Sequence, residues 1–110
     1  MPPAALPIVQ GTLDLLVLRT LAGAPNHGYG IAVAIAERTD GALAVEDAAL
    51  YQSLHRLFRQ GLVDAEWRAS ENNRRARYYT LTAEGRARLR QEAATWRRYA
   101  NAVETVLAGA

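Results

Sequence analysis

The sequence predicts a mainly α-helical fold with one small β-hairpin. Three patterns carry that prediction. Leu50, Leu54 and Leu57 recur at helical spacing and leave a polar face opposite them. The period then changes to a loose alternation over Leu62–Arg68 and again over Arg77–Leu81, on either side of a polar loop. Finally, Leu89, Ala93, Trp96, Ala100, Val103 and Leu107 alternate in steps of four and three, the spacing of a helix–helix seam.

The elements follow in order. Residues 1–10 carry Pro2, Pro3 and Pro7 and read as a loose N-terminal arm. Thr12 is the expected cap of a first helix through Leu13, Leu15, Leu16, Val17, Leu18 and Leu21. That helix is apolar nearly all round, which predicts burial. Gly23-Ala24-Pro25-Asn26 breaks it. A second helix is expected from about Tyr29 to Arg38, with Tyr29, Ile31, Ala32, Val33 and Ile35 as its apolar side, ended by Asp40-Gly41. After a short extended stretch, Leu43 to Val45, Glu46 or Asp47 is placed to accept the first free amides of a third helix, Ala48 to Gln60. Gly61 ends it. Strands at Leu62–Arg68 and Arg77–Leu81 enclose the loop Ala69–Ala76. Thr82 caps a last helix, Ala83 to Leu107, about 37 Å long at 1.5 Å per residue. Gly85 reads as a local weakness in its first turn.

Composition narrows the function. With 110 residues the chain has room for one compact domain, and half of it is hydrophobic. The absence of cysteine excludes disulfides, Cys-ligated zinc and thiol chemistry. No signal peptide is expected, and the longest apolar run near the start is interrupted by Asp14 and Arg19, so the expected setting is cytoplasmic with no membrane partner. Charge is segregated. Residues 1–47 set two cations, Arg19 and Arg38, against five anions, a net −3. Residues 68–90 set seven arginines against Glu71 and Glu84, a net +5. That polarity points one basic surface at an anionic partner.

Three helices, a hairpin and a long helix define a winged helix-turn-helix, residues 11–82, followed by a C-terminal dimerisation helix, residues 83–110. In such domains the second helix of the helix-turn-helix lies in the major groove. Tyr51, Gln52, His55, Arg56 and Arg59 are the candidate DNA-binding side chains of that helix. Arginine pairs with guanine edges and glutamine with adenine. In the wing, Asn72, Asn73, Arg74, Arg75 and Arg77 are candidates for phosphate. The Leu89–Leu107 seam is the expected dimer interface, with Trp96 as its aromatic anchor or as the wall of a pocket for a planar aromatic effector.

Several segments together resemble the PadR family of transcriptional regulators. They are Gly11-Thr-Leu-Asp-Leu-Leu-Val-Leu, His27-Gly-Tyr-Gly-Ile, Leu50-Tyr-Gln-Ser-Leu-His-Arg-Leu, Gly61-Leu-Val and Glu71-Asn-Asn-Arg-Arg-Ala-Arg-Tyr-Tyr-Thr-Leu-Thr-Ala-Glu-Gly. The single long C-terminal helix resembles the short subfamily. The resemblance implies a repressor of nearby genes that binds double-stranded operator DNA as a homodimer. The chain departs from the family pattern at Gln52, where proline is usual, and at Glu46 and Asp47, which replace a small polar cap.

Other candidates have plainer roles. His27 lacks metal-binding partners and reads as a turn residue. Gly28-Tyr29-Gly30 lacks the lysine and glycine spacing of a phosphate loop and reads as close packing at the start of the second helix. Of Tyr78 and Tyr79, one is expected in the core, and Trp67 is expected to pack at the base of the wing. No nucleophile stands with an evident base, so no enzymatic activity, cofactor or metal is expected. The competing class is a winged helix that binds protein and not nucleic acid.

Overall fold

The computed structural model describes residues 4–109; residues 1–3 of the predicted arm and residue 110 of the predicted C-terminal segment lie outside the described residues. The element order is α1 (Leu13–Gly23), β1 (Asn26–His27), α2 (Gly28–Arg38), α3 (Asp47–Arg59), β2 (Val63–Ala69), β3 (Arg75–Leu81) and α4 (Ala83–Ala108). The three strands form an antiparallel sheet in the order β1-β3-β2.

The core is built where three helices and the sheet converge. Val17, Leu18 and Leu21 of α1, Ile31 and Ile35 of α2, and Leu50, Leu54 and Leu57 of α3 are buried together with Leu62, Val63, Tyr79 and Leu81. The leucine stripe of α3 is therefore its inner face, as its spacing predicts. Gly61 closes α3 in a left-handed conformation, φ +74°. Its N–H donates to Phe58 O at 3.1 Å, and the Leu62 N–H donates to Leu57 O at 3.0 Å. This is a Schellman ending, with Leu57 and Leu62 as its buried apolar pair.

The start of α4 is fastened to that turn. The Thr82 N–H donates to Leu62 O at 3.1 Å, and its hydroxyl donates to Gly61 O at 2.8 Å while accepting from the Gly85 N–H at 3.0 Å. Gly85 is accordingly a packing requirement and not a weakness. A Cβ there would strike the backbone carbonyl of Leu62 and stand 2.6 Å from Leu81 Cδ1.

Several local expectations are corrected. Thr12 precedes α1, but its hydroxyl donates back to Val9 O at 2.6 Å and caps no amide. Glu46 likewise makes no side-chain cap, while Asp47 sits in the first turn of α3, where a carboxylate favours the helix dipole. Asn26, read as the end of a break, and His27, read as a turn residue, form a third strand on Tyr78 and Tyr79. Two residues are too few to show a strand period, so only the partner strand reveals them. Tyr29 stands 77% exposed although it lies on the sequence's apolar side of α2. Trp67, expected to pack at the base of the wing, is 58% exposed, with the Arg75 guanidinium over its ring. α1 is buried along Val17, Leu18 and Leu21, with Arg19 open to solvent. Within the N-terminal segment, the Leu6 N–H donates to Ala42 O at 2.7 Å, tying it beside Leu43.

Gly85→Ala should destabilise the protein by about 1–3 kcal/mol, because a backbone carbonyl cannot swing aside as a flexible side chain can. Urea unfolding followed by circular dichroism measures this; wild-type stability would show that α4 can shift without cost.

Candidate nucleic-acid interface

Burying Leu50, Leu54 and Leu57 turns Gln52, His55, Arg56 and Arg59 outward, and all four are exposed. With Gln60 they line one open concavity of about 480 Å³. Tyr51 is exposed at the edge of this face, its ring lying against Gly28 at the start of α2.

Arg56 differs from its neighbours on this face. Its Nη2 donates to Asp14 Oδ1 at 2.6 Å, and its Nε donates to Asp14 Oδ2 at 3.2 Å. The hydrogen bonds to Asp14 hold the guanidinium pKa above its ordinary value, against a smaller desolvation effect. The Ser53 hydroxyl, fully buried, donates to the same Asp14 Oδ1 at 2.6 Å. Sequence reading gave neither Asp14 nor Ser53 a role. The available signal was Asp14 itself, an acid inside an apolar helix.

The wing is a seven-residue ladder from Val63↔Leu81 to Ala69↔Arg75. Its tip is closed by the Ser70 N–H donating to Arg74 O at 2.7 Å and the Asn73 N–H donating to Ser70 O at 2.9 Å. Asn73 adopts φ +58°, so its first duty is to the turn. Three arginines lie over aromatic rings. Arg77 sits 5.1 Å from the Phe58 centroid, Arg75 5.4 Å from Trp67 and Arg68 4.3 Å from Tyr78. Among the described residues, Arg74, Arg75 and Arg77 enter no ion pair. Burial pushes the Tyr79 hydroxyl above its ordinary range, with Arg77 opposing.

A second concavity, about 420 Å³, joins the wing to the start of α2. Its walls include Asn72, Arg74 and Arg75 from the wing, His27 of β1, and Tyr29 and Gly30 of α2. His27 is the N-cap of α2: its Nδ1 accepts from the Gly30 N–H at 3.0 Å, and its ring meets Tyr78 edge-on at 5.1 Å. Gly30 leaves room for the Asn26 side chain, which a Cβ would strike. Exposed Tyr29 lines this recess beside the wing.

The predicted seam of α4 divides in two. Leu89 packs against the core, and Ala93 and Ala100 are partly covered. Val103 and Leu107 lie exposed, along with Tyr99 and Val106. Trp96 is 39% exposed and borders an apolar cleft of about 490 Å³ shared with Leu6, Val9, Leu15, Leu16 and Leu43. No group of histidine and carboxylate side chains among the described residues could hold a metal ion. No helix of the described residues is long and apolar enough to cross a membrane.

Together these elements define a winged-helix module carrying a long C-terminal helix. Residues 17–91 match the transcriptional regulator PadR-like family, and the chain belongs to it. It is similar to a PadR family transcriptional regulator from Eggerthella lenta, with 32% identity, 92% of this chain and 86% of that one covered, and a TM-score of 0.78. It is similar to a transcriptional regulator from Clostridium thermocellum at 25% identity, covering 87% and 90% of the two chains with a TM-score of 0.79. At 21% identity it shares its fold with Bacillus subtilis PadR, solved in complex with operator DNA; 74% of this chain and 46% of that one align, with a TM-score of 0.66.

Proposed function

We propose that the chain is a sequence-specific DNA-binding repressor that acts in the cytoplasm as a homodimer. One observation carries this reading. The face of α3 opposite the buried leucines presents Gln52, His55 and Arg59 beside a wing whose Arg74, Arg75 and Arg77 have no carboxylate partner among the described residues. Arg77 lies 5.1 Å from the ring of Phe58 on α3, so the wing adjoins the helix that carries the groove-reading side chains. Bacillus subtilis PadR, which shares this fold, was solved in complex with operator DNA, and that supports a DNA-binding role here. In this reading, Gln52, His55 and Arg59 address base edges, and the wing arginines with Asn72 hold phosphate. Tyr51 and Asn73 support that surface.

The exposed end of α4 supports the dimer. Val103, Val106 and Leu107 leave an apolar stripe in water that a second copy would cover. The cleft beside Trp96 supports a planar aromatic effector, since it is apolar and open to solvent. Such a ligand releases DNA only if it binds the DNA-incompetent dimer more tightly than the competent one.

A gel shift with the chain's own upstream DNA separates this reading from a protein-binding winged helix. Arg74→Ala should weaken binding to every DNA sequence and flatten the salt dependence by about one unit per subunit. Gln52→Ala should instead cost about 1–3 kcal/mol on the preferred site alone. If the wing variant changed sequence preference and the helix variant did not, the two roles would be exchanged.

Light scattering should give a dimer at micromolar concentration, and Val103→Asp should shift it to monomer with its helical content kept. The recognition helices of the dimer would address half-sites about 34 Å apart. A wild-type monomer would remove the dimer.

For the effector, planar aromatic compounds titrated against Trp67→Phe protein should quench the remaining Trp96 fluorescence and lower operator affinity together. Quenching without any change in affinity would remove the regulatory claim.

A further inference from the structure

The Asp14–Ser53–Arg56 cluster joins distant parts of the chain through three side-chain hydrogen bonds. Ser53 and Arg56 are one helical turn apart on α3, at the border between its buried stripe and its outer face. Asp14 lies one turn before Val17 and Leu18 on α1, both buried, so the core fixes where its carboxylate stands. Among the described residues, the buried Ser53 hydroxyl has Asp14 as its only side-chain partner, and with that bond made it carries no unsatisfied donor.

Arg56 then completes the carboxylate. Its side chain is 50% exposed and that of Asp14 32%, so solvent screens their attraction. The geometry nevertheless uses both carboxylate oxygens, through Nε and Nη2 of one guanidinium edge. A guanidinium held to α1 in this way is not free to follow a base edge. Yet Arg56 borders the same concavity as Gln52, His55 and Arg59. Released, it would reach the surface those residues occupy.

We propose that Asp14 is a positioning residue that decides which bases α3 reads. It ties α3 to α1 through Ser53 and Arg56 and withholds Arg56 from the groove, leaving sequence selection to Gln52, His55 and Arg59. This rests on the DNA-binding reading above. It also revises the expectation that Arg56 reads a base. Removing the carboxylate charge while keeping an acceptor for Ser53 converts Arg56 from a tie into a reader. Because arginine pairs with guanine O6 and N7, the new preference would be for guanine.

The test selects bound sequences from a randomised double-stranded DNA library with the full-length wild type, Asp14→Asn, Arg56→Gln and the double variant. Urea unfolding is measured on the same four proteins. Arg56→Gln should keep the wild-type preferred bases at lower affinity. Asp14→Asn should gain guanine at one position per half-site, enriched by about fivefold or more. The double variant should lose that gain. In unfolding, each single substitution should lower the folding constant about three- to tenfold, and the double no further than the larger single. If Asp14→Asn does not fold cooperatively, Asp14→Glu carries the comparison, since it keeps the charge but moves the carboxylate by one methylene. The proposal is overturned if Arg56→Gln erases a base preference of the wild type, if releasing Asp14 leaves the selected bases unchanged, or if the unfolding effects simply multiply. If the wild type enriches no sequence at all, the DNA-binding reading falls. The unfolding cycle then judges the tie alone: coupling upholds the positioning of α3 by Asp14, and independence overturns it.

Discussion

The interlock of α1 with α3 is the interaction on which the rest of the structure depends. Leu50, Leu54 and Leu57 are at most 1% exposed, and they meet Val17, Leu18 and Leu21, which are nearly as fully buried. A buried leucine contributes about 1.5–3 kcal/mol relative to an exposed one, and truncating it costs about 2–5 kcal/mol. A small domain has only about 5–15 kcal/mol of net stability. The rotation of α3 about its own axis is therefore not a free variable, because turning it would expose the stripe. The outward aim of Gln52, His55 and Arg59 follows from what is hidden behind them. Asp14 adds a polar stop to the same contact, where apolar packing alone would allow small rotations.

What could be read from the sequence divides along the range of the interactions. The α3 stripe, the two long strands, the Thr82 cap and the extent of α4 are local patterns, and each falls within a residue or two of its expected bounds. The family was legible because its motifs are ordered runs of neighbouring residues. The two-residue strand β1 was not, since Asn26 and His27 become a strand only through Tyr78 and Tyr79, some fifty positions away. Gly85 read as a flaw because helix propensity is local, while its reason is the Leu62 carbonyl of another element. Tyr29 fitted a helical apolar period but faces the open recess beside the wing. Arg56 was identified as a groove-facing residue, yet its partner lies 42 positions earlier. Periodicity indicates which face of a helix is outside; it does not say which outward side chains are already occupied.

The long helix poses a separate physical problem. Its 26 residues extend about 39 Å, and the chain spans 56 Å along its longest axis. The first turns are anchored by Gly85 and Leu89, but every residue from Asn101 to Ala108 is exposed. A free helical segment of that length is marginal in water, because nucleation and chain entropy outweigh a few hydrogen bonds. Exposed Val103, Val106 and Leu107 add apolar surface that water disfavours. Both deficits are met at once if that stripe is covered. The same helix also places Trp96 over the cleft lined by α1 and the N-terminal segment. Whatever covers the end of α4 thus acts on a helix that touches α1, and α1 in turn holds α3.

Two ways of holding an arginine distinguish the wing from the outer face of α3. On the wing, Arg75 and Arg77 lie over Trp67 and Phe58, and the neighbouring Arg68 lies over Tyr78. A ring face attracts the guanidinium through its quadrupole but takes none of the in-plane N–H donors. The side chain is steadied, which lowers the entropy lost on meeting an anion, and its donors stay available. A carboxylate at the same place would satisfy those donors and neutralise the charge. Glu71, the only acid in the loop between the strands, makes no such pair among the described residues. Arg56 shows the opposite arrangement, with an edge of its guanidinium consumed by Asp14. Phe58 lies on α3 two residues after Arg56, so one helix carries both the ring that steadies a wing arginine and the arginine tied back to the core. The fold thereby keeps positive charge available on the wing while spending it inside the helix contact that sets the orientation of α3.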